Sequence, residues 1–143
     1  KHRIKIIGDG YDFENIKTLK TELGVDKTAE MLGFTDNPYP YFKAADFYVL
    51  SSRYEGFPTV LFEAITLRKN IIATEVSGVN EMLENGKLGL IVENSEEGIY
   101  QGMKKALTNP ESFSQYHENL KDYKMPFNLE NSVNKIMEII DKN

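Results

Sequence analysis

The chain has 143 residues, about the size of one domain, and it carries 17 Lys and Arg against 22 Asp and Glu, for a formal net charge of −5. This acidic balance, with no run of more than two basic residues, argues against a nucleic-acid-binding protein. The absence of cysteine excludes disulfides and thiolate metal sites, and two histidines are too few for a His-rich metal centre. No stretch approaches the ~20 apolar residues of a membrane span, so the sequence predicts a soluble protein.

Short apolar runs alternate with amphipathic stretches along the chain, a pattern that predicts strands alternating with helices. Asp12 and Thr59 are each expected to cap a helix, and Gly24 to end the first one. The apolar run 47–50 is typical of a strand buried on both faces. In chain order, the predicted elements are a strand at 4–7, a helix from 12 to Gly24, a strand at 28–33, a turn and short helix at 37–45, a strand at 47–50, a helix from Thr59 to Leu67, a strand at 70–74, a short helix at 78–84, a strand at 88–92, and helices after Ser95, near 110–121 and at 128–142.

This alternation predicts an α/β fold, a Rossmann-like parallel sheet with helices on both faces. Ligands of such sheets bind outside the carboxyl ends of the strands. The loops of interest are therefore 8–12, 33–38, 51–58, 75–80 and 93–95.

The loop after the third predicted strand differs from the others because it carries two acids with seven residues between them, Glu55 and Glu63. We predict that the free N–H groups of residues 57–60, where a helix begins, hold a phosphate or diphosphate. Gly56 would let the backbone approach a ligand closely. Ionised carboxylates are good acceptors for sugar hydroxyls, and the predicted helix carries Glu63 in its first turn.

The run 54–64, Tyr-Glu-Gly-Phe-Pro-Thr-Val-Leu-Phe-Glu-Ala, resembles the Glu-x7-Glu motif of retaining glycosyltransferases with the GT-B fold, specifically family 4 or "group 1". The resemblance covers roughly residues 3–108 of the chain. Further segments resemble the family's strands and loops in the same order: 6–10, 32–36, 45–52, 71–74, 77–81 and 89–92.

The resemblance implies a site that binds a nucleotide sugar, UDP- or GDP-linked, and works without a cofactor or a metal. Glu55 would be the catalytic residue, lying near the donor sugar, and Glu63 would bind the ribose hydroxyls. The expected donor-binding residues are Gly33, Phe34 and Thr35 beside the nucleobase, Gly56, Phe57, Pro58 and Thr59 at the sugar and diphosphate, the N–H groups of Thr59 and Val60 at the phosphate, and Glu63.

The resemblance also implies that residues 1–143 are a single donor-binding domain, with an α/β core at 1–94 and C-terminal helices at 95–143. Nothing matches the family's first strand, which is expected at the sheet's centre with a cationic loop, or its N-terminal acceptor domain. The partners would be a nucleotide sugar and that missing domain. We therefore expect the isolated chain to be inactive. The complete enzyme would be cytoplasmic, would touch a membrane only through the missing parts, and would serve cell-surface polysaccharide or glycolipid synthesis.

Three alternatives stay open. Another GT-B enzyme, such as a nucleotide-sugar epimerase, is disfavoured by the Glu-x7-Glu register. A non-catalytic α/β ligand-binding module would suit the length; a phospho-acceptor receiver, however, needs an Asp that ends a central strand, whereas Asp46 begins one. Glu63 could also be an ordinary acid favoured by the helix dipole.

Overall fold

The structure, a computed structural model, describes residues 2–124 and divides between Tyr48 and Val49 into two compact units. In chain order the elements are β1 (Ile4–Ile7), α1 (Phe13–Glu22), β2 (Ala29–Gly33), α2 (Tyr39–Ala44), β3 (Phe47–Leu50), α3 (Thr59–Thr66), β4 (Asn70–Thr74), α4 (Val79–Met82), β5 (Leu90–Val92), α5 (Glu96–Thr108), a 3-10 turn (Pro110–Phe113) and α6 (Ser114–Asp122). Every predicted element up to α6 is confirmed, and the helix predicted at 128–142 lies outside the described residues.

The first unit is built on β1 and β2, which pair in parallel with Ile4 opposite Ala29. The register shifts at the end of the pair, where the Gly8 amide donates to the Gly33 carbonyl over 2.8 Å. Gly33 has a φ of +69°, a left-handed conformation that glycine adopts without steric cost. The carboxyl end of β2 therefore turns sharply at the glycine expected to border the nucleobase.

Helix α1 shows that a residue type suited to capping does not settle what its side chain binds. Asp12 occupies the predicted N-cap position, yet its carboxylate accepts from the Asn15 side chain over 2.9 Å, and no side chain caps a backbone amide there among the described residues. The predicted capping bond of Asp12 is therefore wrong. Gly24 follows the helix with a φ of +64°, and its amide donates to the Thr21 carbonyl, so the predicted helix end is confirmed.

A three-stranded sheet has the order β3-β4-β5, with β4 parallel to β5, and its residues from Val49 onward belong to the second unit. Helix α5 packs on β4 and β5 so closely that a Cβ on Gly102 would lie 2.9 Å from both Ile72 Cγ2 and Val92 Cγ1. Residues 71–74 of β4 are all buried, so β4 lies at the centre of this unit's core. The largest other buried side chains are Leu61, Leu83, Leu88, Val79 and Phe113.

The strands form two parallel sheets with helices on both faces, which confirms the predicted fold class. Within residues 2–124, β1 and β3 each pair along one edge. The prediction that residues 47–50 are buried on both faces is wrong: Leu50 is buried, but the other three residues are half-buried. An edge strand is covered by fewer neighbours than a central one, which explains the difference. Among the helices of this part of the chain, none combines the length and apolar character needed to cross a bilayer.

Candidate functional site

The candidate site lies in the second unit, where the chain leaves β3 and enters α3 through residues 51–58. Pro58 is buried and takes the N-cap position with a φ of −76° and a ψ of 83°, so Thr59 is the first helical residue. The prediction that Thr59 caps the helix is therefore wrong. Proline suits this position because it has no N–H group to leave unpaired, and for the same reason the prediction that residues 57–60 offer N–H groups is wrong at Pro58. Within the described residues no side chain caps this helix start.

The start of α3 presents two backbone amides that helix geometry leaves without an intrahelical acceptor, those of Thr59 and Val60. The next amide, of Leu61, already donates to the Pro58 carbonyl over 2.9 Å. Thr59 and Val60 are both exposed. Because the positive end of the helix dipole coincides with these donors, the pair can bind an anion.

Glu63 is the fifth residue of α3 and lies in the second turn, because the helix begins at Thr59. The prediction of a first-turn acid is therefore wrong. A helix dipole acts mainly on its terminal turn, so the dipole alone is a poor explanation for an acid at this position. Residues four apart share a helix face, and helical side chains lean toward the N-terminus. Glu63 therefore lies on the face that carries Thr59. Its side chain is half-buried.

Glu55 is oriented by a short hydrogen bond within the loop. The Ser52 hydroxyl donates to Glu55 Oε1 over 2.6 Å, and both residues are half-buried. Hydrogen bonds to an ionised acceptor are shorter and stronger than neutral ones. The carboxylate is therefore held in a defined orientation against its own loop.

Two later segments anchor this loop through its carbonyl groups. The Thr74 hydroxyl, at the end of β4, donates to the Ser52 carbonyl over 2.6 Å, and the Asn94 side-chain amide donates to the Arg53 carbonyl over 2.8 Å. Neither Thr74 nor Asn94 is among the site residues predicted from the sequence. The available signal was their position, because Thr74 ends a strand and Asn94 lies in the loop 93–95 that follows the next one at the carboxyl edge.

The segment from Gly56 to Pro58 packs against the loop after β4. Gly78, with a φ of +80°, lies so near that a Cβ there would be 3.2 Å from Phe57 Cδ2 and 3.4 Å from Pro58 Cδ. The Phe57 ring is 46% exposed, and its centroid lies 5.4 Å from that of Phe62. A Cβ built on Gly56 would meet no atom within 4 Å. This face of the loop is therefore open beside Gly56 and supported beside Phe57.

The charged groups around the loop form weak pairs. Arg53 Nη2 lies 3.3 Å from Glu96 Oε1, but these side chains are 77% and 94% exposed. An exposed pair of this kind contributes little to stability, so Arg53 is available to an anion at small cost. Within residues 2–124, no group of three or more His, Asp or Glu side chains could hold a metal ion. The prediction of a metal-free site stays a prediction.

The three residues expected beside a nucleobase belong to the first unit. Gly33 ends β2, Phe34 is 68% exposed, and the Thr35 hydroxyl accepts from the Asn37 amide over 3.3 Å. The segment from Glu55 to Glu63 belongs to the second unit. A single site that combines the two groups stays a prediction.

Comparison with known proteins identifies the relatives of this chain. Residues 1–123 match the family described as "Glycosyl transferases group 1". A Campylobacter jejuni protein, N-acetylgalactosamine-N,N'-diacetylbacillosaminyl-diphospho-undecaprenol 4-alpha-N-acetylgalactosaminyltransferase, is 30% identical over 121 residues, which are 83% of this chain and 33% of that protein. The Salmonella typhimurium lipopolysaccharide 1,6-galactosyltransferase is 32% identical over 92 residues, 61% of this chain and 26% of the relative.

Among solved structures, Anabaena HepE in complex with UDP superposes with a TM-score of 0.83 at 20% identity, over 99% of this chain and 41% of that one. At this level of identity the likeness shows the fold. The chain spans about a third of the length of the curated relatives it matches.

Proposed function

Because the chain belongs to the glycosyl transferases group 1 family, we propose that it is the donor-binding part of a retaining glycosyltransferase. The complete protein would transfer a hexosyl group from a UDP- or GDP-linked sugar. The Campylobacter relative is named for transfer to an undecaprenol-linked sugar, and the Salmonella relative is named a lipopolysaccharide galactosyltransferase. These names support a cell-surface glycolipid or polysaccharide as the acceptor class. Because the chain covers about a third of such relatives, the acceptor-binding domain is proposed to lie elsewhere in the complete protein.

The observation that carries the proposal is the placement of Glu63 one turn after the free amides of Thr59 and Val60. Four residues of helix rise roughly 6 Å, so one nucleotide can reach both features. Its diphosphate would accept from the amides, and its ribose hydroxyls would donate to the carboxylate.

In the proposed reaction, the amides of Thr59 and Val60 would stabilise a leaving diphosphate. In a front-side displacement the bond from the anomeric carbon to the phosphate oxygen breaks as the acceptor oxygen bonds the same face, and the acceptor proton passes to the departing phosphate. The Thr59 and Val60 amides, already oriented by the helix, would stabilise the charge that develops on that phosphate. Glu55, held by Ser52, would accept from hydroxyls of the donor sugar and fix its position.

The remaining predicted residues complete the proposed site. Gly56 would give the sugar room, since a side chain there would project into open space, and Phe57 and Pro58 would shape the entry to α3. Gly33, Phe34 and Thr35 are proposed to border the nucleobase. An epimerase is not favoured, because the family match and the named relatives are transferases.

Calorimetric titration of the complete protein with UDP and with GDP tests the proposal. We expect one of them to bind, and Glu63→Ala to weaken that binding by about tenfold to a hundredfold, the cost of a lost hydrogen bond to a charged group. Glu111→Ala, which removes an exposed acid of the 3-10 turn, is the matched control and should bind like wild type. Equal affinity of wild type and Glu63→Ala would remove Glu63 from the site. Failure of the wild-type protein to bind either nucleotide would reject the proposed function.

A further inference from the structure

We propose that Ser52 is a positioning residue of the transfer reaction, acting through Glu55, and that Thr74 and Asn94 fix Ser52 and its loop to the sheet. The inference rests on the proposed function, because it assigns Glu55 to the donor sugar.

The hydrogen bond from Ser52 to Glu55 orients the carboxylate and still leaves it able to accept hydrogen bonds from a ligand. A carboxylate offers about four lone-pair directions, and the Ser52 hydroxyl takes one of them at Oε1 over 2.6 Å. The other directions are then oriented toward a ligand before it arrives. Such preorganisation lowers the entropy lost when a sugar hydroxyl is bound in the reactive geometry.

Ser52 can orient Glu55 only if Ser52 is itself held, and the end of β4 holds it. Thr74 is 2% exposed, and its hydroxyl lies 2.6 Å from the Ser52 carbonyl and 3.4 Å from the Leu50 carbonyl. One buried side chain thus joins the last residue of β3 to the loop that follows. Because Thr74 is buried at the end of a core strand, it moves little, and its hydrogen bond therefore restrains the loop at Ser52.

The adjacent carbonyl is held from β5. The Asn94 side chain, two residues after β5, donates to the Arg53 carbonyl over 2.8 Å. Consecutive loop carbonyls are therefore held by two different segments, the end of β4 and the loop after β5. The backbone of residues 52 and 53 is thus held at two successive carbonyls, and the Ser52 hydroxyl donates to Glu55 from this restrained backbone.

The test compares turnover with nucleotide binding in the complete protein. Turnover is measured as release of UDP or GDP from UDP-glucose, UDP-galactose and GDP-mannose with water as the acceptor of the hexosyl group, and binding as the affinity for UDP and GDP alone. Ser52→Ala should lower kcat by about tenfold to a hundredfold, the range for loss of positioning, while the nucleotide affinity stays within about twofold. Ser52→Thr, which keeps a hydroxyl, should recover most of kcat. Ser114→Ala, at an exposed serine of α6 outside the loop, is the matched control and should match wild type.

A double-mutant cycle shows whether Ser52 acts through Glu55. Once Glu55→Ala has removed the acceptor of the Ser52 bond, adding Ser52→Ala should change kcat by less than about twofold. An equal, additive loss in both backgrounds would overturn the inference, as would wild-type kcat in Ser52→Ala. Loss of nucleotide affinity in parallel with kcat would also overturn it, because that result indicates a general disturbance of the loop.

Variants at Thr74 test the anchor. Thr74→Val removes the hydroxyl at nearly constant shape and should reproduce the fall in kcat, and Thr74→Ser should recover it. Full kcat in Thr74→Val would overturn the anchoring role. A wild-type protein that neither binds UDP or GDP nor releases them rejects the proposed function, whereas an active wild type with an equally active Ser52→Ala rejects this inference alone.

Discussion

Replacing Gly78 by alanine should weaken nucleoside diphosphate binding although residue 78 contributes no side chain to the site. The Cβ of alanine would lie 3.2 Å from Phe57 Cδ2 and 3.4 Å from Pro58 Cδ, and Gly78 has a φ of +80°. The substitution therefore combines two perturbations, backbone strain and a tight contact. The contact pushes on the two residues that immediately precede the Thr59 amide.

Two other glycines separate these perturbations. Gly24 has a φ of +64° but space for a Cβ, and Gly10 has neither a positive φ nor a neighbour within 4 Å. Left-handed backbone costs a residue with a Cβ about 1–2 kcal/mol, so Gly24→Ala should lose that much local stability and Gly10→Ala almost none. Gly78→Ala should lose the same 1–2 kcal/mol with less than about 1 kcal/mol added, because the partly exposed Phe57 ring can move aside more easily than a core side chain.

Binding should separate the variants more sharply than stability does. A shift of Phe57 and Pro58 by a few tenths of an ångström moves the Thr59 and Val60 amides away from a bound phosphate. We expect UDP or GDP to bind Gly78→Ala roughly threefold to tenfold more weakly, or about 0.7–1.4 kcal/mol.

Hydrogen exchange measures the opening free energy of each unit separately, and calorimetry measures the affinity. Wild-type affinity in Gly78→Ala would refute the argument, because the placement of Phe57 and Pro58 would then be irrelevant to binding. An equal fall in affinity in Gly24→Ala would refute it as well, since strain alone would account for the effect.

Two further predictions concern parts of the second unit away from the loop. The Ser95 hydroxyl accepts from the Gly98 amide over 3.0 Å, so Ser95→Ala should lower the free energy of unfolding by about 1 kcal/mol, and Ser95→Asp should restore it. Urea unfolding of the three proteins checks this, and no loss in Ser95→Ala would contradict the capping role. Burial raises the pKa of Tyr123 above its ordinary value of 10.0, and the nearby Glu84 carboxylate raises it further. The stability that the neutral phenol contributes is therefore complete below pH 10.0 and is lost as the pH rises through the folded pKa. Titration of the phenolate absorbance measures the pKa of Tyr123. Ionisation of Tyr123 at or below its ordinary value would contradict the prediction.

The sequence predicted the secondary-structure elements better than it predicted the hydrogen-bond partners and the burial of individual side chains. Apolar runs and helix-ending glycines have local causes, so β4 and the end of α1 at Gly24 are where the pattern predicts them. The helix predicted after Ser95 is confirmed for the same reason. The capping bond of Asp12 and the burial of residues 47–49 are wrong because they depend on a competitor for the side chain and on the place of a strand within its sheet.

In the candidate site, too, the features with local causes were predicted and the contacts between distant residues were not. The spacing of Glu55 and Glu63 is visible in the sequence, and the structure shows a loop and a helix at these positions. The start of the helix depends on Pro58, which takes the N-cap position expected for Thr59. The anchors Thr74 and Asn94 lie 22 and 41 residues from the carbonyls they bind, beyond the reach of any local pattern.

These distant anchors also set the order in which the site forms during synthesis. The ribosome delivers Ser52, Arg53 and both glutamates before it delivers Thr74 and Asn94. A nascent chain stopped after α3 therefore contains the complete Glu-x7-Glu segment without the side chains that fix its loop. All residues of the motif are present once Glu63 has been added, but the loop reaches its final shape only when Asn94 has emerged and β5 has paired with β4.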